Sequence, residues 1–524
     1  MAVLASRILG LVRESLLAAV FGAGWIVDAY IIAFRIPNLL RDLFAEGALS
    51  SAFVPTFTEA LANGGKERAY KLANLVLTGL LIVTGGLTLL GIVFSKQVVL
   101  LISLGFNGNT EKLLEATLLA RVMMPVLLLV SVSAAWMGML NAQQRYLAPA
   151  FAPALFNVVS IVCGFAILLA KIDARRGILL WSLSTTAAGL VQALVQLPSL
   201  WRLGYRPALA LAGLWRDPSV RRIVRLMGPA VVGLAAVNVN VFVNTQFASK
   251  LGDGPAAYLN FAFRLFYLPI GMFGVALATV TTARASADAA RGDRAALIER
   301  VGEGTRAVWM LALPSAVGLI VLAEPVVAVL FQRGKFTHVE SAAVVPAVQA
   351  YMLGVLPYSL VKVLSPAFYA VDRPRVPMVG SIAAVAANLI FNALTYRRLG
   401  APGLALGTTL AAVINLVFLR VSFLAAVGRA RRTGWGRDLL VLALANAALG
   451  GTAWGAWRLA ARGLGEWQAR SGHPGGFVRA ALLFAVIGVA FVVYVGALRV
   501  LRYRGAEELW QLPIKVARRL RGRR

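Results

Sequence analysis

Within its first 46 residues the chain sets Arg7, Arg13, Glu14, Asp28, Arg35, Arg41, Asp42 and Glu46 among otherwise apolar residues. An arginine suits a phosphate or diphosphate, because its planar fork donates two parallel hydrogen bonds and keeps its charge. Carboxylates among such arginines hold them in place, or break and reform pairs with them during a cycle; the sequence leaves both roles open for Asp28, Asp42 and Glu46. At about 100° per residue, with Asp28 set to zero, Arg35 falls near −20°, Asp42 near −40° and Glu46 near 0°. Four charges thus share one helix face, while Arg41 points near −140° unless the Pro37 kink rotates it. Arg7 and Glu14, seven apart, share a face of the preceding helix.

Further along, Arg264 is the only charge between Asp253 and Arg284, and it sits among aromatic residues. It reads either as a structural ion pair with one of the early acids or as an anion-binding arginine in a central cavity; the second is the sharper expectation. Asn240, Asn244, Asn388 and Asn392, with Thr408 and Thr409, offer oxygen ligands to a sodium ion. No carboxylate lies near them in sequence, so such a site would be weak, and hydrogen bonding between helices is the better reading. Arg121 and Lys362 fall near span ends or proline kinks, where long basic side chains snorkel or pack.

The elements that carry these residues follow from composition. Of 524 residues, 59% are hydrophobic and 14% charged, and the mean hydropathy is +0.77. Soluble proteins are about 45–50% apolar and about 25% charged. Apolar runs of about 20 residues, enough to cross about 30 Å of hydrocarbon, recur along the chain. They predict an all-α integral membrane protein with fourteen helices near 2–22, 27–60, 72–95, 114–141, 149–170, 177–200, 219–249, 255–283, 305–331, 342–369, 376–396, 402–427, 437–462 and 477–502. Basic residues crowd alternate loops, which places both termini in the cytoplasm. The basic end, with Lys515, Arg518, Arg519, Arg521, Arg523 and Arg524, would face anionic lipid headgroups.

The same distribution removes other classes. The net charge of +30 sets topology rather than binding nucleic acid. Cys163 is the single cysteine, so no intramolecular disulfide forms, and His338 and His473 are the two histidines. No HExxH, GxSxG or zinc-ligand spacing occurs, and Gly64-Gly65-Lys66 lacks the rest of a phosphate-binding loop. No metal and no cofactor are expected. The charged first helix does not read as a cleavable signal.

A shift of 228 residues carries Arg145 onto Arg373 and Pro149 onto Pro377, with similar surroundings, and the first helix onto the seventh. Two pseudo-symmetric six-helix lobes are therefore expected, over 1–200 and 201–428, followed by an extra helix pair over 429–505 and a basic tail over 506–524. Repeats of the same orientation are related by an axis along the membrane normal, and paired lobes suit alternating access.

Several segments together resemble the MurJ (MviN) family of bacterial lipid II flippases, in the multidrug/oligosaccharidyl-lipid/polysaccharide exporter superfamily. They are SRILGLVRE from Ser6 to Glu14, FGAG from Phe21 with Asp28-Ala29, IPNLLR from Ile36 to Arg41 with FAEG from Phe44, Arg264, GVALA from Gly274, LPSA from Leu313, FQ from Phe331 with GKFT from Gly334, and KVLSP from Lys362. The resemblance covers almost the whole chain. It implies a V-shaped cavity, and a last helix pair forming a groove for a long lipid tail. It also implies that Arg7, Arg13, Arg41 and Arg264 bind a diphosphate headgroup, with Asp28, Glu46, Glu14 and Asp42 in gating or ion pairing. The chain departs from relatives at Asp42, where many have arginine, at Phe263, where some have an acid, and before the first helix, where a lead is missing.

The expected activity is translocation of undecaprenyl-diphosphate-linked disaccharide-pentapeptide from the inner to the outer leaflet of the bacterial cytoplasmic membrane, for peptidoglycan synthesis. Membrane lipids and peptidoglycan-synthesis proteins are the expected partners, and membrane potential or a sodium or proton gradient the expected drive. The alternatives are a flippase for another polyprenyl-linked polysaccharide precursor, or a multidrug exporter of the same superfamily, which would want an apolar or acidic pocket rather than arginines.

Overall fold

Every described element is helical, as apolar runs of this length require in hydrocarbon, where each backbone polar group must be satisfied within its own segment. The computed structural model describes residues 2–42, 49–371, 373–428, 435–471 and 476–503. The first helices are α1 (Ala2–Phe21), α2 (Trp25–Arg41), α3 (Leu49–Val93), α4 (Ser95–Ile102), α5 (Thr110–Met123), α6 (Pro125–Ala142), α7 (Leu147–Leu169), α8 (Ala174–Leu194) and α9 (Leu197–Arg202). Then come α10 (Pro218–Ser249), α11 (Pro255–Pro269), α12 (Val275–Ala290), α13 (Arg294–Val321), α14 (Ala323–Phe331), α15 (His338–Met352), α16 (Val355–Ala370), α17 (Arg375–Ala426), α18 (Trp435–Ser471) and α19 (Gly476–Val500). Ten helical stretches among the described residues are long and apolar enough to cross a membrane. The chain is a multi-pass membrane protein.

Local chemistry sets the helix ends. Asn109 accepts the Lys112 N–H at 3.0 Å, Asp217 the Ser219 N–H at 2.8 Å and Asp293 the Ala296 N–H at 2.9 Å, each satisfying a donor that the first turn leaves open. Inside the spans, Thr84, Thr117 and Ser131 donate to carbonyls four residues back, each at 2.7 Å, so these three hydroxyls are satisfied within their own helices. Several expected boundaries shift. The predicted helix over 27–60 is two helices, α2 and α3, and Glu46 falls between them, outside the described residues. The predicted helices over 376–396 and 402–427 run together as α17, which turns at Gly400 with φ 58° and ψ −145°; α3 turns likewise at Gly65 with φ 68° and ψ −170°. That backbone region is open essentially to glycine alone.

The repeat is visible in the element register. Helix α4 begins at Ser95 and α14 at Ala323, α5 at Thr110 and α15 at His338, α7 at Leu147 and α17 at Arg375, each pair 228 residues apart.

By contact, the chain forms two compact units, a division separate from that by repeat. The first comprises Met1–Asn260, Phe331–Glu340 and Asn392–Ala401, and the second Phe261–Leu330, Ser341–Phe391 and Pro402–Arg524. In the first unit α3 packs on α6, α1 on α7, α7 on α8 and α2 on α5, around a core that includes Phe53, Phe57, Leu72, Trp136, Met139 and Tyr205. In the second, α12, α13 and α16 pack together, with Leu297, Val301, Leu364, Phe368 and Phe423 in their core.

Helices α18 and α19 pair with each other, and α18 lies on α13. The buried Tyr494 hydroxyl donates to the Met310 carbonyl at 2.7 Å. Arg306 stands 3.7 Å from the buried Asp438 carboxylate and 5.2 Å from the centroid of the Trp435 ring. Just past α19, burial, with Asp438 adding to it, pushes the Tyr503 phenol up to about 12.

Candidate functional site

Helix α1 puts Arg13 and Glu14 into the protein interior, 8% and 3% exposed. Arg13 Nη2 donates to Glu14 Oε1 at 2.7 Å, and Asn260 Nδ2 donates to Oε2 at 3.2 Å. The Arg13 guanidinium also lies 5.8 Å from the Phe156 ring centroid. A buried charge pair persists only if its remaining polar atoms find partners as well, and Asn260, distant in sequence, is one of them. Six residues earlier, Arg7 is half-buried.

On α2 the charges divide between a buried carboxylate and partly exposed groups. Asp28 is 1% exposed and turned into protein. It accepts the Gly254 N–H at 2.7 Å and the Ala257 N–H at 2.8 Å, and so caps the start of α11 from outside that helix. Lys112 Nζ lies 3.1 Å from the same carboxylate, 2.9 Å from Asp253 Oδ1 and 3.1 Å from the Gly252 carbonyl. The ammonium also sits 4.6 Å from the Phe106 ring centroid. Arg35 is half-buried. Arg41 pairs with its neighbour Asp42 at 2.9 Å, both partly exposed.

Close by in the same unit, the segment 331–340 meets the end of α1. The Lys335 N–H donates to the Ala19 carbonyl at 2.9 Å. Lys112, Asp253 and Asn260 were not among the residues expected from sequence to matter here. Lys112 is a single basic residue at the head of a span, a pattern indistinguishable from snorkelling. Only the acids that converge on it from 84 and 141 residues away set it apart.

Arg264 belongs to the second unit, on the exposed side of α11. Behind it lies an aromatic cluster. Phe263 and Phe266 are 5.6 Å apart, Phe266 stacks on Tyr351 at 5.2 Å and meets Tyr358 edge-on at 5.7 Å. Lys362 stands 5.3 Å from the Tyr358 ring centroid. Past Pro269 the chain makes one π turn, Ile270–Gly274, before α12, a distortion frequent at functional sites.

The asparagines divide between hydrogen bonding and burial. Asn392 Nδ2 donates to Asn244 Oδ1 at 2.8 Å, joining α17 to α10, beside a 5.2 Å contact of the Phe247 and Tyr396 rings. Asn388 is fully buried in the second unit, and Asn240 is half-buried in the first. Thr409 donates to the Ala350 carbonyl at 2.8 Å and Thr408 to the Leu404 carbonyl at 3.3 Å.

Known proteins resemble this chain in sequence and in fold. The family model described as "Lipid II flippase MurJ" matches residues 17–466. A lipid II flippase MurJ of Burkholderia cenocepacia is 32% identical over 510 residues, 96% of each chain. A probable lipid II flippase MurJ of Bdellovibrio bacteriovorus is 36% identical over 419 residues, 79% of each. Among solved structures, a lipid II flippase MurJ in an inward closed conformation superposes with a TM-score of 0.76 at 22% identity, covering 95% of this chain and 98% of that one. An inward-facing multidrug resistance MATE transporter gives 0.65 at 16% identity, covering 80% and 95%. The structures share the fold, the sequences share the family, and the chain belongs to the lipid II flippase MurJ family.

Proposed function

We propose that this chain moves lipid II, an undecaprenyl diphosphate bearing a disaccharide-pentapeptide, from the inner to the outer leaflet of the bacterial cytoplasmic membrane. The observation that carries the reading is family membership over residues 17–466; the arginines Arg7, Arg13, Arg41 and Arg264, set in apolar helices, agree with it. The lipid tail stays in hydrocarbon throughout. Only the diphosphate and its sugars need a shielded polar route, and guanidinium groups replace the water that the phosphates give up.

The ion pairs suggest how binding begins. Arg41 exchanges the Asp42 carboxylate for a phosphate oxygen at little cost, because that pair is partly solvated. Arg13 is held by buried Glu14 and serves as a fixed positive pole. Asp28, Glu14, Asp42 and Glu46 act in gating and ion pairing. No bond is made or broken in the substrate, so the protein is a transporter and no residue is assigned a catalytic part.

The lobes 1–200 and 201–428 would carry out alternating access, with 429–505 guiding the lipid tail and 506–524 meeting anionic headgroups. Both termini would lie in the cytoplasm. The drive would be membrane potential, worth about 2.3 kcal/mol per charge per 100 mV, or a sodium or proton gradient, with Asn240, Asn244, Asn388 and Asn392 as the sodium ligands to test. Peptidoglycan-synthesis proteins would take up the product. Bacteria depleted of their own flippase and supplied with this chain should regain lipid II that can be labelled at the outer surface. Absence of labelling, with the chain inserted in the membrane, would count against the reading.

A further inference from the structure

We propose that Phe263 and Tyr267 form an aromatic platform for the first sugar ring of the headgroup, beside the arginine that holds its diphosphate. The inference rests on the lipid II reading and adds a sugar-recognising element to it. At about 100° per residue, Phe263, Arg264 and Tyr267 fall within an arc of about 100° on α11. A guanidinium facing hydrocarbon costs about 2.5–3.5 kcal/mol, so a face that carries Arg264 serves protein, water or a polar ligand rather than lipid tails.

On that face the two rings lie 6.0 Å apart and nearly parallel, at 27°. Tyr267 is 40% exposed. Phe263 is held from behind by Phe266 at 5.6 Å and by the edge of buried Tyr351 at 5.7 Å. Phe263 is therefore fixed before any ligand arrives, and Tyr267 stacks on it. Aromatic faces carry negative charge density, which attracts the weakly positive C–H groups of a pyranose face. Arg264 and Tyr267 are three residues apart, a spacing of about 5–6 Å between side-chain bases, and a sugar joined directly to a diphosphate spans a similar distance. One helix face thus offers a cation and an apolar plate at the spacing of a sugar diphosphate.

The test compares two ligands on the full-length protein in nanodiscs, lipid II and undecaprenyl diphosphate, which lacks the sugars. Wild type should prefer lipid II. Phe263→Leu and Tyr267→Leu should weaken lipid II binding about three- to tenfold, the value of one aromatic contact, and leave undecaprenyl diphosphate unchanged. Tyr267→Phe, which keeps the ring, should bind as wild type, and Arg264→Ala should weaken both ligands. Undiminished lipid II binding in both leucine variants would overturn the platform and leave the transport reading standing. Equal loss of both ligands would also overturn it, as the mark of a packing defect. A wild type that binds neither ligand would overturn the transport reading and the platform together.

Discussion

The Lys112 ammonium stands 3.1 Å from the Asp28 carboxylate, and both groups are nearly sealed from solvent. The same carboxylate takes the N–H groups of Gly254 and Ala257, and the same ammonium reaches Asp253 and the Gly252 carbonyl. One charge pair therefore ties α2 and α5 to the turn that starts α11. Removing one member of such a pair strands the other and costs about 3–5 kcal/mol. Asp28→Ala should lower the unfolding temperature of the solubilised protein sharply. Adding Lys112→Met should restore part of the loss, because no buried charge is then left alone. Strict additivity of the two substitutions would contradict the pairing.

This pair also marks how far the sequence could be read. Helix positions followed from hydropathy, and the repeat followed from residues such as Arg145 and Arg373. The break between α2 and α3 was hidden because the apolar and charged pattern runs on through it. Asp28 reads as one of four charges on one helix face, since periodicity reports spacing and not what stands opposite. Its partners lie 84, 226 and 229 residues away, and only tertiary packing brings them near. Arg41 is given a direction by helix periodicity, which does not report its contact with the next residue, Asp42. The arginines were legible because a charge in an apolar helix needs a reason wherever it occurs.

The Arg13–Glu14 pair offers a graded comparison. Glu14→Ala leaves a buried guanidinium without its carboxylate and should cost about 3 kcal/mol or more. Asn260→Ala removes one hydrogen bond to that carboxylate and should cost about 1 kcal/mol. Thermal unfolding of the two variants checks the ranking, and equal losses would contradict it.

At the end of α1, Gly334 has φ 56°, and an added Cβ would run into the Ala19 carbonyl. Gly334→Ala should therefore displace the segment that Lys335 anchors to Ala19. Trypsin should then cleave after the exposed Lys335 faster than in wild type. An unchanged cleavage rate would show that the segment does not depend on this approach.

The docking of α19 on α13 rests in part on one hydroxyl. Tyr494→Phe loses the bond to the Met310 carbonyl and should cost about 1 kcal/mol. Phe477→Leu, at a position 88% exposed, should leave the unfolding temperature where it was. A Tyr494→Phe protein as stable as wild type would remove the hydroxyl from the account of how the last helix pair is held.

The most direct test of the central claim is the labelling of outer-surface lipid II in flippase-depleted bacteria carrying wild type, Arg264→Lys or Arg264→Ala at matched membrane levels. The account expects full labelling with wild type, partial labelling with lysine, which keeps the charge and loses the fork, and background labelling with alanine. Full labelling with Arg264→Ala would contradict the assignment of this arginine to the diphosphate.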